Sequence, residues 1–187
     1  GAPNRGELPT APVIVRNVGD RAIVTVIDPA RLLPDLDAQA RVLIAARDGN
    51  GLDAVRIELE EEFPDGEVRT FASDVSDDEQ RRELLDWVED IGDGLNILVN
   101  NAGGNLTRPA IDYSEDEWRN IFEVNLFSAF ELARSTYPLL TKHAASCIVN
   151  VGSVSGITHV RSGAPYGMSK AALHQMTRNL AVEWAED

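Results

Sequence analysis

The feature that most constrains this chain is the order in which two hydrophobic periodicities alternate along it. Short β-branched or apolar runs stand at Ala22–Ile27, Val42–Ala45, Val68–Ala72, Ile97–Val99 and Cys147–Val151, each of strand length. Helical patterns separate them. Ser76 opens "SDDEQRRELLDWVEDI", with Glu79 at capping-box spacing and Leu84, Leu85, Val88 and Ile91 forming a stripe. Ser114 and Glu117 repeat the capping signal ahead of a stretch running to Leu140. That stretch is apolar on more than one face, which predicts a helix buried on two sides. A last helix is predicted from about Tyr166 to Trp184. Strands alternating with helices predict an open, mainly parallel sheet with helices on both faces. Right-handed crossovers then put a ligand crevice outside the carboxyl ends of the strands.

The runs Ile23–Ile27 and Val42–Ile44 read as neighbouring buried strands flanking the link Val26–Ala40. Such a link often holds a nucleotide and then needs glycines. This one has none, but it carries Pro29, Pro34, Asp28, Asp35 and Asp37, with Arg31 the only nearby cation. Asp28 as N-cap with Pro29 behind it is a good helix start, but Pro34 would stop that helix after about one turn.

At 187 residues and 43% apolar, the chain reads as one domain over 13–187 behind a flexible lead-in over 1–12. A net charge of −14, from 31 acidic and 17 basic residues, would repel phosphate backbones and anionic lipid. No nucleic-acid or membrane role is therefore expected. The lone Cys147 cannot form a disulfide within the chain, which suits a reducing cytoplasm, and the N-terminal dozen lacks a signal-peptide pattern. His143, His159 and His174 are scattered, and none belongs to a set with metal-ligand spacing.

The second half carries the chemistry. Asn100, Asn101, Ala102, Gly103 and Gly104 follow a strand, where small residues let a flat ring or a ribose approach the backbone. A plain glycine turn is the competing reading. Ser153 lies just past the next strand, with its hydroxyl towards the expected crevice. Tyr166 and Lys170 are four apart on one helical face. A phenol of pKa about 10 is a poor acid–base catalyst at neutral pH, and an ammonium one turn away favours its ionised form. Ser153 could hold the same substrate oxygen for proton transfer. Asn125 is an amide among apolar neighbours and must find partners. It either satisfies an irregularity in its own helix or fixes a water that relays protons towards Lys170.

Strand-end Asn-Asn-Ala-Gly, a mid-helix Asn, a Ser, then Tyr-x-x-x-Lys together resemble the short-chain dehydrogenase/reductase family of the classical type. The stretch from Asn100 to Trp184 is similar to its tropinone-reductase-like branch, and the likeness extends back to about Arg41. The resemblance implies a doubly wound Rossmann-type sheet and a catalytic tetrad of Asn125, Ser153, Tyr166 and Lys170. Tyr166 would exchange the proton while a hydride moves to or from nicotinamide, and Lys170 would also hold the nicotinamide ribose. It further implies that Asn101, Ala102 and Gly103 line the adenosine side, and that Asp74 and Val75 contact adenine. Asp74 has a simpler reading as a turn residue. Arg47, with Ala46 where NAD-preferring members carry an acid, suits a 2′-phosphate, hence NADP(H) over NAD(H); a solvated charge near Asp48 is its competing reading. Expected partners are a small carbonyl or alcohol substrate and a second copy, in a homodimer or homotetramer built through helices 114–140 and 166–184.

Two departures from the family qualify that picture. The family's first strand runs into a Thr-Gly-x-x-x-Gly-x-Gly turn for the cofactor diphosphate, whereas here Thr25 runs into the glycine-free link. The chain also stops at Asp187, without the family's last two strands, so the fifth strand is expected to be an edge. Two functions follow as expectations: an NADP(H)-dependent oxidoreductase acting on a small carbonyl or alcohol, or a non-catalytic or truncated relative that keeps the fold and the dimerisation helices.

Overall fold

The computed structural model describes residues 14–18, 22–26, 41–62, 64, 67–92, 94–144 and 146–186. The chain divides into two compact units, the first ending at Ala72 and the second beginning at Ser73. The lead-in expected over 1–12 and positions 27–40 of the glycine-free link lie outside the described residues.

In the first unit, β1 (Ile14–Val18) and β2 (Ala22–Val26) pair antiparallel, with Val15 opposite Thr25 and Asn17 opposite Ile23. Here the structure departs from the sequence reading. Among the described residues the run at Ala22–Ile27 has β1, a strand the sequence reading does not predict, as its hydrogen-bonded partner, and β3 lies near β2 without a ladder between them. Sequence spacing supplies the reason. Only Gly19, Asp20 and Arg21 separate the two strands, and pairing across so short a connection closes a much smaller loop than pairing across the link.

Strands β3 (Arg41–Ala46) and β4 (Glu67–Ala72) pair in parallel, from Arg41 opposite Glu67 to Ala46 opposite Ala72. They sit within a residue or so of the predicted positions. Helix α1 (Gly49–Glu62) connects them. Its Leu52, Val55 and Leu59 recur at helical spacing and join Ile44 and Val68 in one buried cluster, with Val42 and Ala46 packed around it. Full burial of each such side chain is worth about 1.5–3 kcal/mol. The exposed pairs Arg41–Glu67 and Arg56–Glu60, at 2.7 and 3.0 Å, stand in solvent that screens them, and they add little. The apolar cluster therefore holds α1 against β3 and β4.

The second unit contains α2 (Asp78–Ile91), β5 (Ile97–Asn100), α3 (Glu115–Phe122), α4 (Ser128–Leu140), β6 (Cys147–Asn150) and α5 (Ala164–Glu183). Strands β5 and β6 pair in parallel, from Ile97 opposite Cys147 to Asn100 opposite Asn150. Among the described residues β5 and β6 pair only with each other. Helix α4 packs on both strands and buries Ala129, Ala133, Thr136, Leu139 and Leu140, so small residues let it approach closely.

The predicted caps divide. Ser114 and Glu117 form the reciprocal box, both hydrogen bonds present. The cap of α2 is Asp77, whose carboxylate accepts from the Glu79 and Gln80 amides, rather than Ser76. Ser76 is taken by Asp74, which accepts its N–H at 2.9 Å and its hydroxyl at 2.6 Å. The single helix expected over 114–140 is interrupted by a π-helical turn at Glu123–Phe127. Helix α5 begins with Pro165 in its first turn, where a missing N–H costs nothing, and packs against α3 and the π turn. No helix among the described residues is long and apolar enough to cross a membrane.

Candidate active site

The site is built where β5 and β6 end. The Asn100 Nδ2 donates to Asn150 Oδ1 at 2.8 Å across the strand pair, and Asn150 Nδ2 donates to Thr177 Oγ1 on α5 at 3.0 Å. These linked amides tie both strand ends to α5. Asn101 follows, 6% exposed, and neither polar atom of its side chain has a hydrogen bond among the described residues. Burying an amide unpaired is costly, which makes this side chain a candidate to meet a polar partner.

Asn125 follows the first of its two readings, the one that satisfies an irregularity in its own helix. It is 1% exposed, and the π turn holds it. Its Nδ2 donates to Ile121 O within its own irregular helix and to Gly104 O, both at 2.7 Å, and its Oδ1 accepts from the Gly104 N–H at 3.3 Å. One amide thus satisfies the irregularity and fastens the Asn-Asn-Ala-Gly-Gly turn. A Cβ on Gly103 would lie 2.9 Å from Asn125 Oδ1 and 3.7 Å from Lys170 Nζ. Only glycine leaves that approach open.

Lys170 is 5% exposed and donates from Nζ to Val151 O at 2.9 Å. Burial pushes its pKa down, because desolvation penalises the ammonium. Its Nζ lies 6.0 Å from the centroid of the Tyr166 ring, one turn earlier on α5. Tyr166 is half-buried in the first turn of that helix.

Ser153 begins the short 3-10 turn Val154–Gly156. Its Oγ accepts from the Ser155 N–H at 3.2 Å, which leaves its own proton for another acceptor. Its backbone N–H donates to His174 Nε2 at 3.4 Å. The sequence reading found no partner set for His174. The available signal was its position, four residues after Lys170 and eight after Tyr166 on one helix.

The structure thus gathers Asn125, Gly103 and Lys170 around one point and links the Ser153 turn to the helix carrying Tyr166 and Lys170. Asp74 and Val75 stand in the turn before α2. Asp74 serves there as the turn residue of its simpler reading, and Val75 O accepts from Arg81 Nη1 at 2.5 Å. Arg81 is buried and also faces Glu123 of the π turn at 3.6 Å. Ala46 ends β3 in the first unit, and Arg47 follows it, exposed. The orphaned Asn101 amide, and a Gly103 with no side chain beside a buried ammonium, suit a ribose or a flat polar ring.

A model of the short chain dehydrogenase family matches residues 35–187. A tropinone reductase homolog from Arabidopsis thaliana is 44% identical over 115 residues, covering 61% of this chain and 44% of the relative. A metagenomic short-chain oxidoreductase solved in complex with NADP is 30% identical, with a TM-score of 0.73 over 79% of this chain and 66% of that one. The Pseudomonas aeruginosa RhlG/NADP active-site complex is 32% identical, with a TM-score of 0.71 over 78% of this chain and 58% of that one. The chain spans about half the length of the curated relatives it matches.

Proposed function

The chain belongs to the short-chain dehydrogenase family, and from that premise we propose that it moves a hydride between NADP(H) and a small carbonyl or alcohol substrate. The observation that carries this reading is the approach to Gly103 of Asn125 Oδ1 and of Lys170 Nζ, the latter from the helix that also bears Tyr166. The nicotinamide cofactor, when bound, supplies or accepts the hydride.

In the reductive direction Tyr166 gives its phenolic proton to the substrate oxygen and recovers one from solvent. The Ser153 hydroxyl, its lone pair engaged by the Ser155 N–H, donates to that same oxygen and holds it in line. Lys170 places positive charge beside the phenol, favours its ionised form, and reaches the nicotinamide ribose. Asn125 keeps the glycine turn seated and is the site for a proton-relaying water. Asn101, Ala102 and Gly103 hold the adenosine side, and Asp74 and Val75 the adenine. Arg47 reads the 2′-phosphate, which favours NADP(H) over NAD(H). NADP in two solved relatives supports this preference. Exposed Phe127, Phe130 and Val182 offer apolar area on the helices for a second copy of the chain.

The test is to incubate the protein with NADPH and a panel of small ketones and aldehydes, and to follow the loss of reduced nicotinamide. A turnover that Tyr166→Phe abolishes is expected. No turnover, with no change in NADPH fluorescence on adding protein, would favour the non-catalytic relative.

A further inference from the structure

Helix α5 grips the segment after β6 by two bonds of opposite polarity. Lys170 Nζ donates to the carbonyl of Val151 at 2.9 Å, and His174 Nε2 accepts the N–H of Ser153 at 3.4 Å. The two side chains are four residues apart, one turn of the helix, and the carbonyl and N–H they hold are two residues apart in the segment that leads into the extended Ser153. A slip of the segment by one residue would set an N–H against the ammonium and a carbonyl against the imidazole lone pair, so the pair of bonds fixes register as well as distance.

Gly152 lies between the two gripped groups. A Cβ there would overlap His174 Nε2, so the imidazole occupies the space that a side chain at 152 would need. Ser153 itself is extended, and its Oγ is held by Ser155. Its backbone is thus fixed from the helix side and its hydroxyl from the turn side. We propose that His174 is a positioning residue for Ser153: through an unprotonated Nε2 it sets where the serine hydroxyl stands relative to Tyr166 and Lys170 on the same helix. This rests on the reading of Ser153 as the group that holds the substrate oxygen.

The same geometry says which substitutions can replace it. Glutamine carries an acceptor oxygen about as far from its Cα as Nε2 is in histidine, whereas alanine has none. His174→Ala is expected to speed hydrogen exchange at the Ser153 amide while Val151, bonded to Asn100 O, stays protected. It should lower kcat by about 10- to 100-fold, the scale for a reacting group displaced by about 1 Å, with the KM for NADPH unchanged. His174→Gln should restore both. Gly152→Ala should reproduce the loss, and adding it to His174→Ala should cost little more, because one change removes the ring that the other would strike.

Unaltered Ser153 exchange in His174→Ala, or loosening spread evenly along α5, would overturn the proposal, as would a loss that His174→Gln fails to recover. Should the wild-type protein transfer no hydride at all, that result counts against the oxidoreductase reading, and the exchange pattern still decides whether His174 holds Ser153.

Discussion

The two units of this chain use polar side chains in opposite ways. In the first, charged groups stand at the surface in pairs such as Arg41–Glu67 and Arg56–Glu60, and the interior is the apolar cluster of Ile44, Leu52, Val55, Leu59 and Val68. In the second, nine polar or charged side chains are buried, among them Asn100, Asn101, Asn125, Ser169 and Lys170. Every buried polar side chain among the described residues belongs to this second unit. Burying such groups costs free energy unless each finds a partner, and an apolar core would have been the more stable choice. The contrast teaches where to look for chemistry: the first unit is arranged for packing, and the second retains a polar interior that serves the strand ends.

Several substitutions can break or sharpen that contrast. The largest effect is expected from Tyr166→Phe, which removes one oxygen. Activity should fall by about 10²–10⁴-fold, the usual worth of a positioned acid–base group, while the melting temperature stays put. A comparable loss of stability instead would show that the hydroxyl is structural. Leu52→Ala should act in the reverse sense. It opens the first unit's core and should cost about 2–5 kcal/mol in denaturant unfolding, with kcat of the folded fraction unchanged.

Asn125→Leu comes next. It strips Gly104 of both its bonds to the amide and removes the side-chain donor to Ile121 O, a loss of about 1–3 kcal/mol. Because the amide seats the glycine turn beside Lys170, activity should fall with stability, which Leu52→Ala does not do.

The smallest effects concern pH. Hydrogen bonds from Arg41 first, and then Arg69, hold the Glu67 carboxyl below its ordinary range. That contribution is fully present above the unfolded carboxyl's pKa and is lost as pH falls through the lowered folded value, so Glu67→Gln should flatten the acid side of the stability profile. Burial lowers the Lys170 pKa. Between that folded value and the unfolded lysine's ordinary one the unfolded chain binds more protons, so stability rises with pH there, and Lys170→Met should remove the alkaline rise. Melting curves across pH check both. A shared titration window would erase the distinction between a surface carboxylate and a buried ammonium.

Much of this architecture could be read from residue order. Strands β3 to β6 follow from short apolar runs between turn formers, and the Ser114–Glu117 box follows from a spacing that has one mechanical meaning. The proximity of Lys170 to Tyr166 follows from helical geometry. What escaped reading were contests between near-equivalent partners. Strand β2 has two edges, and the ladder forms with β1, which no apolar run announces, while β3 lies near it without one. Ser76 and Asp77 both suited the cap of α2, and Asp74 decided between them by capturing Ser76. His174 was invisible for another reason. Its partner is a backbone N–H, which every residue but proline carries, so no side-chain pattern announces it.

The central claim is that the strand-end turn and helix α5 of the second unit support hydride transfer. The most direct measurement uses NADPH carrying deuterium at both C4 positions of the nicotinamide, with a small ketone as acceptor and the wild-type protein beside Tyr166→Phe. The account expects deuterium on the carbinol carbon of the alcohol product with the wild type and essentially none with the variant. An unlabelled alcohol, no alcohol, or equal labelling by both proteins would contradict it.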